Sequence, residues 1–495
     1  MNDIIQLLQN IKQPQVIVVG DIMLDRYIWG NAERISQEAP VILLRADRRE
    51  ERLGGAGSVA MMLHYLEARV AIAGVVGDDE NGKQIVTMLR QLGIDTSAVA
   101  ADSSRPTTVK ERYMGRAQTR HPQQIVRVDY EERHAINQNI ESRIIEGIAG
   151  LLEVADIVLV SDYDKGVCTP TLLQFLISAA RTRGIPVVAD PIRGGDYSKY
   201  RGCTALTPNR LEAGLAVGRA LHSVDEAISA AVELQNRLEL EAGIVTLDKD
   251  GMVFAHRDGR RQHFPTRPRQ VYDITGAGDM VMAALGLALA AGASYETALR
   301  LANIAGGLEV ERLGVSPVTR ADILADLLRT SGAPAAWHHH DKIQTLASLI
   351  PLIQLRRSLG QRIAFTNGCF DVLHAGHVSY LSEARRQADC LIVGLNSDAS
   401  VRSLKGPTRP LNPHNARAAV LAALQDVDYI VLFDEPTPMS LIRAIRPDVL
   451  VKGGDYSKEQ IIGAEFVESY GGKVHIAKFH HGYSTTSLIE RMKAA

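Results

Sequence analysis

Short β-branched runs alternate with longer helical stretches along this chain, and the alternation occurs twice, on either side of one break. Residues 16–19, 70–75, 157–160, 186–189 and 243–247 read as strands, and several lead straight into Gly, Asp or Ser. Helical stretches such as 169–183 and 225–240 lie between them. That order predicts an α/β fold with a mostly parallel sheet. The pattern weakens over 329–341, RTSGAPAAWHHHD, where Gly, Pro and Ala cluster without apolar periodicity. A second α/β pattern follows, with strands at 362–366, 391–395, 429–432 and 449–452 and a helix at 377–387. The expected organisation is one domain over 1–328, a linker over 329–341 and a second, unlike domain over 342–495.

Composition narrows the class. Length alone, 495 residues, suggests two to four domains at about 150 residues each. Lys+Arg 55 against Asp+Glu 57 leaves a net charge of −2, which argues against a nucleic-acid partner held by bulk charge. The longest apolar run, 280–293, is shorter than the ~20 residues of a membrane span and reads as a buried helix. The first residues, MNDIIQLLQNIKQ, lack the basic start and apolar core of a secretory signal. Cys168, Cys203, Cys369 and Cys390 are scattered, which predicts free thiols and excludes a zinc ribbon. Three adjacent histidines, 338–340, are poorly placed to converge on one ion. A soluble cytoplasmic enzyme without a membrane or nucleic-acid partner is expected.

The most specific string in the first half is Asp273-Ile274-Thr275-Gly276-Ala277-Gly278-Asp279, ahead of the apolar helix. Small residues at a helix start let backbone N–H groups close on an anion. Gly276, Ala277 and Gly278 could thus hold the charge of a transferring phosphoryl group, and Asp279 could accept a proton from an attacking hydroxyl. A capped glycine turn is the plainer alternative. The segment Gly77-Asp78-Asp79-Glu80-Asn81-Gly82-Lys83 matches most of a P-loop, but Gln84 lacks the hydroxyl that ligates Mg²⁺.

The seven-residue string resembles a signature of the ribokinase-like sugar kinases, and other landmarks of that family follow in order. Gly54-Gly55-Ala56-Gly57-Ser58 looks like its first signature, and Gly20-Asp21-Ile22-Met23-Leu24-Asp25 follows the first strand. The resemblance implies a three-layer αβα fold over roughly residues 10–325. It implies sugar binding at Asp21, Asp25, Gly54 and Gly55, and Mg²⁺ held through water by Asn209 and Glu212 of an NxxE element. It implies nucleotide contacts at Thr246, Asp248, Gly251 and Asn303. Lys165, in SDYDKG, is a candidate for substrate or nucleotide phosphate. Lys110, Arg112 and Arg127 are candidates for a distal sugar phosphate, because an anionic substrate needs cationic partners.

In the second half, Thr366-Asn367-Gly368-Cys369-Phe370-Asp371 ends a strand, and His374-Ala375-Gly376-His377 opens a helix. Two imidazoles three residues apart share one helix face, and Gly376 lets phosphate approach the backbone. They can stabilise charge on an α-phosphate and on leaving pyrophosphate. A zinc half-site is the alternative, with no third ligand evident nearby. The string resembles the HxGH nucleotidyltransferases, which implies a Rossmann-like fold over about 342–495. ATP contacts are then expected from Thr366, Asn367, Gly368, Phe370, Gly376, Asn396, Asp398, Lys405, Lys452, Ser484, Thr485 and Thr486.

Together the two halves resemble the bifunctional heptose-7-phosphate kinase/heptose-1-phosphate adenylyltransferases of lipopolysaccharide-precursor biosynthesis. The resemblance implies ATP and Mg²⁺ as cofactors and sugar phosphates as substrates. It also implies a homodimer through the kinase half, and a separate phosphatase acting between the two steps. The competing reading is an adenylyltransferase whose kinase-like half only dimerises or binds. Three departures fall in the kinase half: Ser58 where Asn is usual, Ile192 where Lys is expected, and a longer, more basic 112–123 stretch.

Overall fold

Val16, Ile17, Val18 and Val19 are all at most 2 % exposed, so the strand they form is covered on both faces. That is the environment of a parallel strand with helices on either side. The structure is a computed structural model, and it describes residues 2–116, 123–267, 269, 276–311, 317–330, 342–358, 360–454 and 458–477. The chain divides into two units, Asp3–Ile323 and Leu324–Ala495, with Met1–Asn2 grouped with the second.

The first unit is built on a nine-stranded sheet. Its order is Arg261–Phe264, Met252–His256, Ala242–Thr246, Ala205–Leu206, Val187–Asp190, Ile157–Ser161, Gln15–Gly20, Arg69–Gly77 and Asp95–Asp102. Pairing is parallel except where Met252–His256 and Arg261–Phe264 fold back as antiparallel strands. Strand order reverses at Gln15–Gly20, which lies between Arg69–Gly77 and Ile157–Ser161. In open α/β sheets the crevice at the carboxyl ends beside such a reversal is where ligands bind. The edge strand Asp95–Asp102 alternates exposed and buried residues, as a half-covered strand should. The apolar run forms the helix Ala277–Ala290 and is buried as expected.

A second sheet in this unit was not anticipated. Four strands pair in the order Ile42–Gly55, Ile22–Ile35, Thr108–Arg116 and Gln123–Tyr130. The charged string LLRADRREERLGG carries no continuous apolar signal, because Arg45, Ala46, Asp47, Arg48 and Arg49 are all exposed. The basic 112–123 stretch supplies the end of the inner strand Thr108–Arg116 and the first residue of the edge strand Gln123–Tyr130, with residues 117–122 outside the described residues.

The second unit holds a six-stranded, wholly parallel sheet. Its order is Ile343–Gln344, Tyr429–Phe433, Cys390–Asn396, Ile363–Gly368, Val449–Gly453 and Lys473–Ala477. The order reverses at Ile363–Gly368, again placing a crevice at the strand ends. Strands expected from the sequence are present to within a residue or two in both units. Residues 331–341, with the three histidines, lie outside the described residues. Among the described residues, no helix is long and apolar enough to cross a membrane.

Candidate active sites

Gly276 caps the helix Ala277–Ala290 with φ 90°, a left-handed conformation that any side chain would strain. The first-turn amides of a helix lack intrahelical partners. Among the described residues, a methyl group at Gly278 would meet nothing within 4 Å. Asp279 follows, 7 % exposed, and accepts a 2.8 Å hydrogen bond at Oδ1 from the Tyr163 hydroxyl. Burial pushes its carboxyl up to about 6; the Tyr163 and Ser58 hydroxyls and Lys110 pull downward, and Asp25 pushes upward. A base poised near neutral pH is what proton abstraction from a hydroxyl needs. Residues 273–275 of the same string lie outside the described residues.

The four-stranded sheet turns a cationic face to this carboxylate. Side chains paired across strands share a face. Asp25 is in register with Lys110 and Arg52, Tyr27 with Arg112, and Arg112 with Arg127. Arg112 pairs with Asp25 at 2.5 Å, and the Arg112 and Arg52 guanidiniums lie 5.2 and 5.1 Å from the Tyr27 ring centroid. Lys110 sits 5.0 Å from the Tyr163 ring. Burial lowers the pKa of Lys110, and Arg112, Lys165 and Arg127 lower it further against the pull of Asp25. These cations therefore feel one another. Arg127 is the exposed member and pairs with Asp129 at 2.9 Å. Lys165 is buried and ion-paired with Glu131 at 2.9 Å. Gly54 lies under Asp25, where an added Cβ would come within 2.7 Å of its carboxylate, and Gly55 beside it has φ 56°.

Asp21, expected at the sugar, has a structural task. It is 1 % exposed, and its carboxylate accepts the backbone amides of Tyr163, Lys165 and Val167 at 2.8, 3.0 and 3.3 Å. It fixes the loop that carries Tyr163. Ile192 is held by Tyr197 and Tyr200. Lys199 brings a cation to this corner, 2.6 Å from Asp162.

On the nucleotide side, Asn209 and Glu212 form a reciprocal capping box on the helix Arg210–Ala216. Thr246 ends its strand beside Asn209 through an isolated parallel bridge. Asp248, exposed with φ 51°, and Gly251 flank the turn after it. Asn303 donates to the carbonyls of Phe264 and Pro265 at 2.9 and 3.2 Å, so it organises that chain segment. Among the described residues, no group of three or more His, Cys, Asp and Glu could hold a metal ion. The donor set still fits Mg²⁺, which keeps most of its waters and needs few protein ligands. Asp190 is driven well above the carboxylate range by burial and then by the Glu212 charge, and Glu212 itself is raised by burial. A divalent cation there would relieve both.

In the second unit His374 is the N-cap of the helix Ala375–Arg385, and Gly376 and His377 lie in its first turn. The two imidazoles stack with centroids 3.9 Å apart, and the Phe370 ring lies 5.3 Å from His377. Among the described residues, Nδ1 of His377 is buried without a hydrogen-bond partner. Burial, then His374 and Lys405, hold His377 down to about 4, so it is neutral near pH 7. Lys452 donates to Asn367 at 3.1 Å, and Thr366 bonds Tyr380. Gly368 and Asn396 complete the strand-end crevice. Asp398 is taken by Arg417 at 2.8 Å and His414 at 3.1 Å, which makes it an organiser of the crevice wall. Ser484, Thr485 and Thr486 lie outside the described residues.

The sequence reading missed Tyr163, Arg52, Tyr27, Asp371 and Arg417. Asp371 is 3 % exposed and accepts from Arg409 and the amides of Leu411 and Asn412. Arg417, 2 % exposed, bonds Cys369, Asn412 and Asp398. Tyr163 stood in a string already singled out for Lys165. Nothing local marks Arg417.

Two folds with these sites define a carbohydrate kinase joined to a nucleotidyltransferase. Residues 13–321 match the pfkB family of carbohydrate kinases, and residues 365–491 match the cytidylyltransferase-like family. Among solved structures, the ribokinase of Arabidopsis thaliana superposes with TM-score 0.50 at 21 % identity, covering 63 % of this chain and 98 % of its own. Phosphofructokinase-2 of Escherichia coli does so with TM-score 0.52 at 21 % identity, over 63 % and 98 %. At that identity both speak to the fold alone. The bifunctional protein HldE of Geobacter sulfurreducens is 47 % identical over 97 % of this chain and 96 % of its own. That of Methylobacillus flagellatus is 42 % identical over 96 % of each. The chain belongs to this family of bifunctional HldE proteins, its first half being a pfkB-type carbohydrate kinase.

Proposed function

We propose that the chain catalyses two ATP-dependent steps toward ADP-heptose. The first phosphorylates D-glycero-β-D-manno-heptose 7-phosphate at O1; the second transfers AMP from ATP to D-glycero-β-D-manno-heptose 1-phosphate and releases pyrophosphate. The observation that carries this reading is the buried Asp279 at a helix start, bonded to Tyr163 and facing the Lys110 cation and the Asp25 carboxylate. A binding or dimerisation module has no need of a carboxylate poised near neutral pH at that place.

In the first step Asp279 takes the proton of the 1-hydroxyl as O1 bonds to the γ-phosphorus and ADP leaves. The amides of Gly276, Ala277 and Gly278 receive the phosphoryl oxygens. Lys110, Arg112 and Arg127, with Arg52, hold the 7-phosphate, and Asp25 orients the sugar over Gly54 and Gly55. Asn209 and Glu212 are assigned Mg²⁺ through water, and Thr246, Asp248, Gly251 and Asn303 the nucleotide side. Mg²⁺, when bound, neutralises charge on the ATP phosphates. In the second step a phosphate oxygen of heptose 1-phosphate bonds to the α-phosphorus of ATP, and the bond to pyrophosphate breaks. His374, His377, Lys405 and Lys452 stabilise the charge that moves onto the leaving group.

The boundaries 1–328, 329–341 and 342–495 are retained as the domain assignment, close to the division of the chain at 323/324. A homodimer through the kinase half is supported by exposed apolar residues on the four-stranded sheet, among them Ile35, Ile42, Ile125, Val126 and Tyr130. A cytoplasmic location and a separate phosphatase between the steps complete the reading, since the second substrate lacks the 7-phosphate that the first retains.

Mass spectrometry of products from purified protein, Mg-ATP and heptose 7-phosphate tests the function. A heptose bisphosphate with one ADP per turnover is expected. ADP-heptose from supplied heptose 1-phosphate, with no bisphosphate from heptose 7-phosphate, would leave the chain an adenylyltransferase only. The pH dependence is a separate check. Asp279 must be ionised to act, so kinase kcat/KM should hold above pH about 6 and fall about tenfold per unit below it. A profile flat to pH 5 would remove Asp279 as the base.

A further inference from the structure

The base and the anion-binding face sit on different elements, the helix Ala277–Ala290 and the four-stranded sheet. One residue touches both. Tyr163, on the loop after strand Ile157–Ser161, donates its hydroxyl to Asp279 Oδ1 at 2.8 Å while its ring lies 5.0 Å from the Lys110 ammonium. The loop itself is clamped, because Asp21 accepts the amides of residues 163, 165 and 167. Burial, and then the Asp279 charge, drive the Tyr163 phenol well above its ordinary value, so it remains a donor throughout the working pH range.

We propose that Tyr163 is a positioning residue that ties the base to the distal-phosphate face, so that a phosphate seated on Lys110 raises the turnover of Asp279 as well as the affinity for the sugar. The inference rests on the kinase reading above. Its physical content is a chain of two contacts. A cation over an aromatic face is attracted by the ring quadrupole, so fixing the ammonium against a phosphate also fixes the ring. The ring carries the hydroxyl that commits Asp279 Oδ1 and leaves proton acceptance to Oδ2. A sugar without the distal phosphate leaves Lys110 unanchored and the ring less constrained. Binding energy from a remote group then appears in kcat, which is how remote contacts contribute to catalysis. The charged and titratable groups facing Asp279 in this arrangement are Tyr163, Asp25, Lys110 and Asp190.

The test uses the full chain, with Tyr163→Phe, Lys110→Met and the double variant. Each is assayed on heptose 7-phosphate and on heptose lacking the phosphate, across pH 5 to 9. Tyr163→Phe should lower kcat on the phosphorylated sugar about 10-fold, as expected for a positioned group, and leave KM for ATP within about twofold. The acid limb of kcat should move up by roughly half a unit, because a donor to the ionised carboxyl is gone. The kcat preference for the phosphorylated sugar should shrink in both single variants. The double variant should fall no further in kcat than the lower single, as coupled residues do. Additive losses in the double variant, or a Tyr163→Phe enzyme with an unmoved acid limb and an intact kcat preference, would overturn the coupling. A wild-type enzyme inactive on heptose 7-phosphate would instead overturn the function on which it rests, and the inference with it.

Discussion

Asp279→Asn is expected to lower the kinase kcat by about 10³-fold while leaving adenylyl transfer unchanged. The substitution is nearly isosteric and keeps an oxygen for the Tyr163 hydroxyl, so the geometry of the site should survive. What is lost is the ability to take a proton from the sugar hydroxyl. The fold should not suffer. The folded pKa of Asp279 is raised to about 6 by burial, which means the ionised form is disfavoured in the folded chain. Its protonated form is therefore the better tolerated one. Any destabilisation it causes is absent below its unfolded pKa and grows to its full size as pH rises past about 6. At pH 8 the neutral amide should melt no lower than wild type. The measurement is a pair of assays on one preparation, ADP release with heptose 7-phosphate and pyrophosphate release with heptose 1-phosphate. Near-normal ADP release would remove Asp279 as the base; loss of both activities would point to misfolding.

His377→Ala should have the mirror effect, with AMP transfer falling about 10²–10³-fold and the kinase reaction intact. His377 is held down to about 4, so near pH 7 it enters as a neutral imidazole, and among the described residues its Nδ1 is buried without a partner. A triphosphate entering the crevice would bring negative charge that favours the N–H donor form. The stacked rings of His374 and His377 should act as a unit. His374→Ala should therefore cost a similar factor, and the double variant little more than either single, since groups acting as a unit are strongly non-additive. Pyrophosphate release and the reverse exchange of labelled pyrophosphate into ATP measure the same centre from both directions. A His377→Ala enzyme with wild-type pyrophosphate release would place the charge stabilisation elsewhere, with Lys405 and Lys452 the nearest candidates.

The parts of each site that lie within a few consecutive residues were readable in advance. Gly276 to Asp279 must start a helix, because the small residues and the apolar run after them allow little else. His374 and His377 fall together at a helix start for the same reason of spacing. The parallel strands were equally plain, since a strand buried on both faces is a continuous β-branched run. The four-stranded sheet was not, because long stretches of its outer strands are exposed on both faces and rich in charge, so they carry neither a continuous apolar run nor an alternation. Asp21 shows the limit from the other direction. Its position after the first strand suggested a sugar ligand, but three backbone amides of a loop more than 140 residues away occupy its carboxylate.

The chemistry proposed for this protein is thus largely local in sequence: two helix starts, a carboxylate in the first turn of one and an imidazole pair at the other. The tuning of that chemistry is not. Tyr163 and Asp279 are 116 residues apart, and Arg417 and Cys369 are 48 apart. Lys110, Arg112 and Arg52 become one cationic face only when three strands pair in register. Hydrogen bonds and charges act over a few ångströms, whereas a one-dimensional pattern records only neighbours along the chain. Which carboxylate is buried enough to serve as a base, and which is consumed in holding a loop, is therefore set by the packing that brings distant residues together.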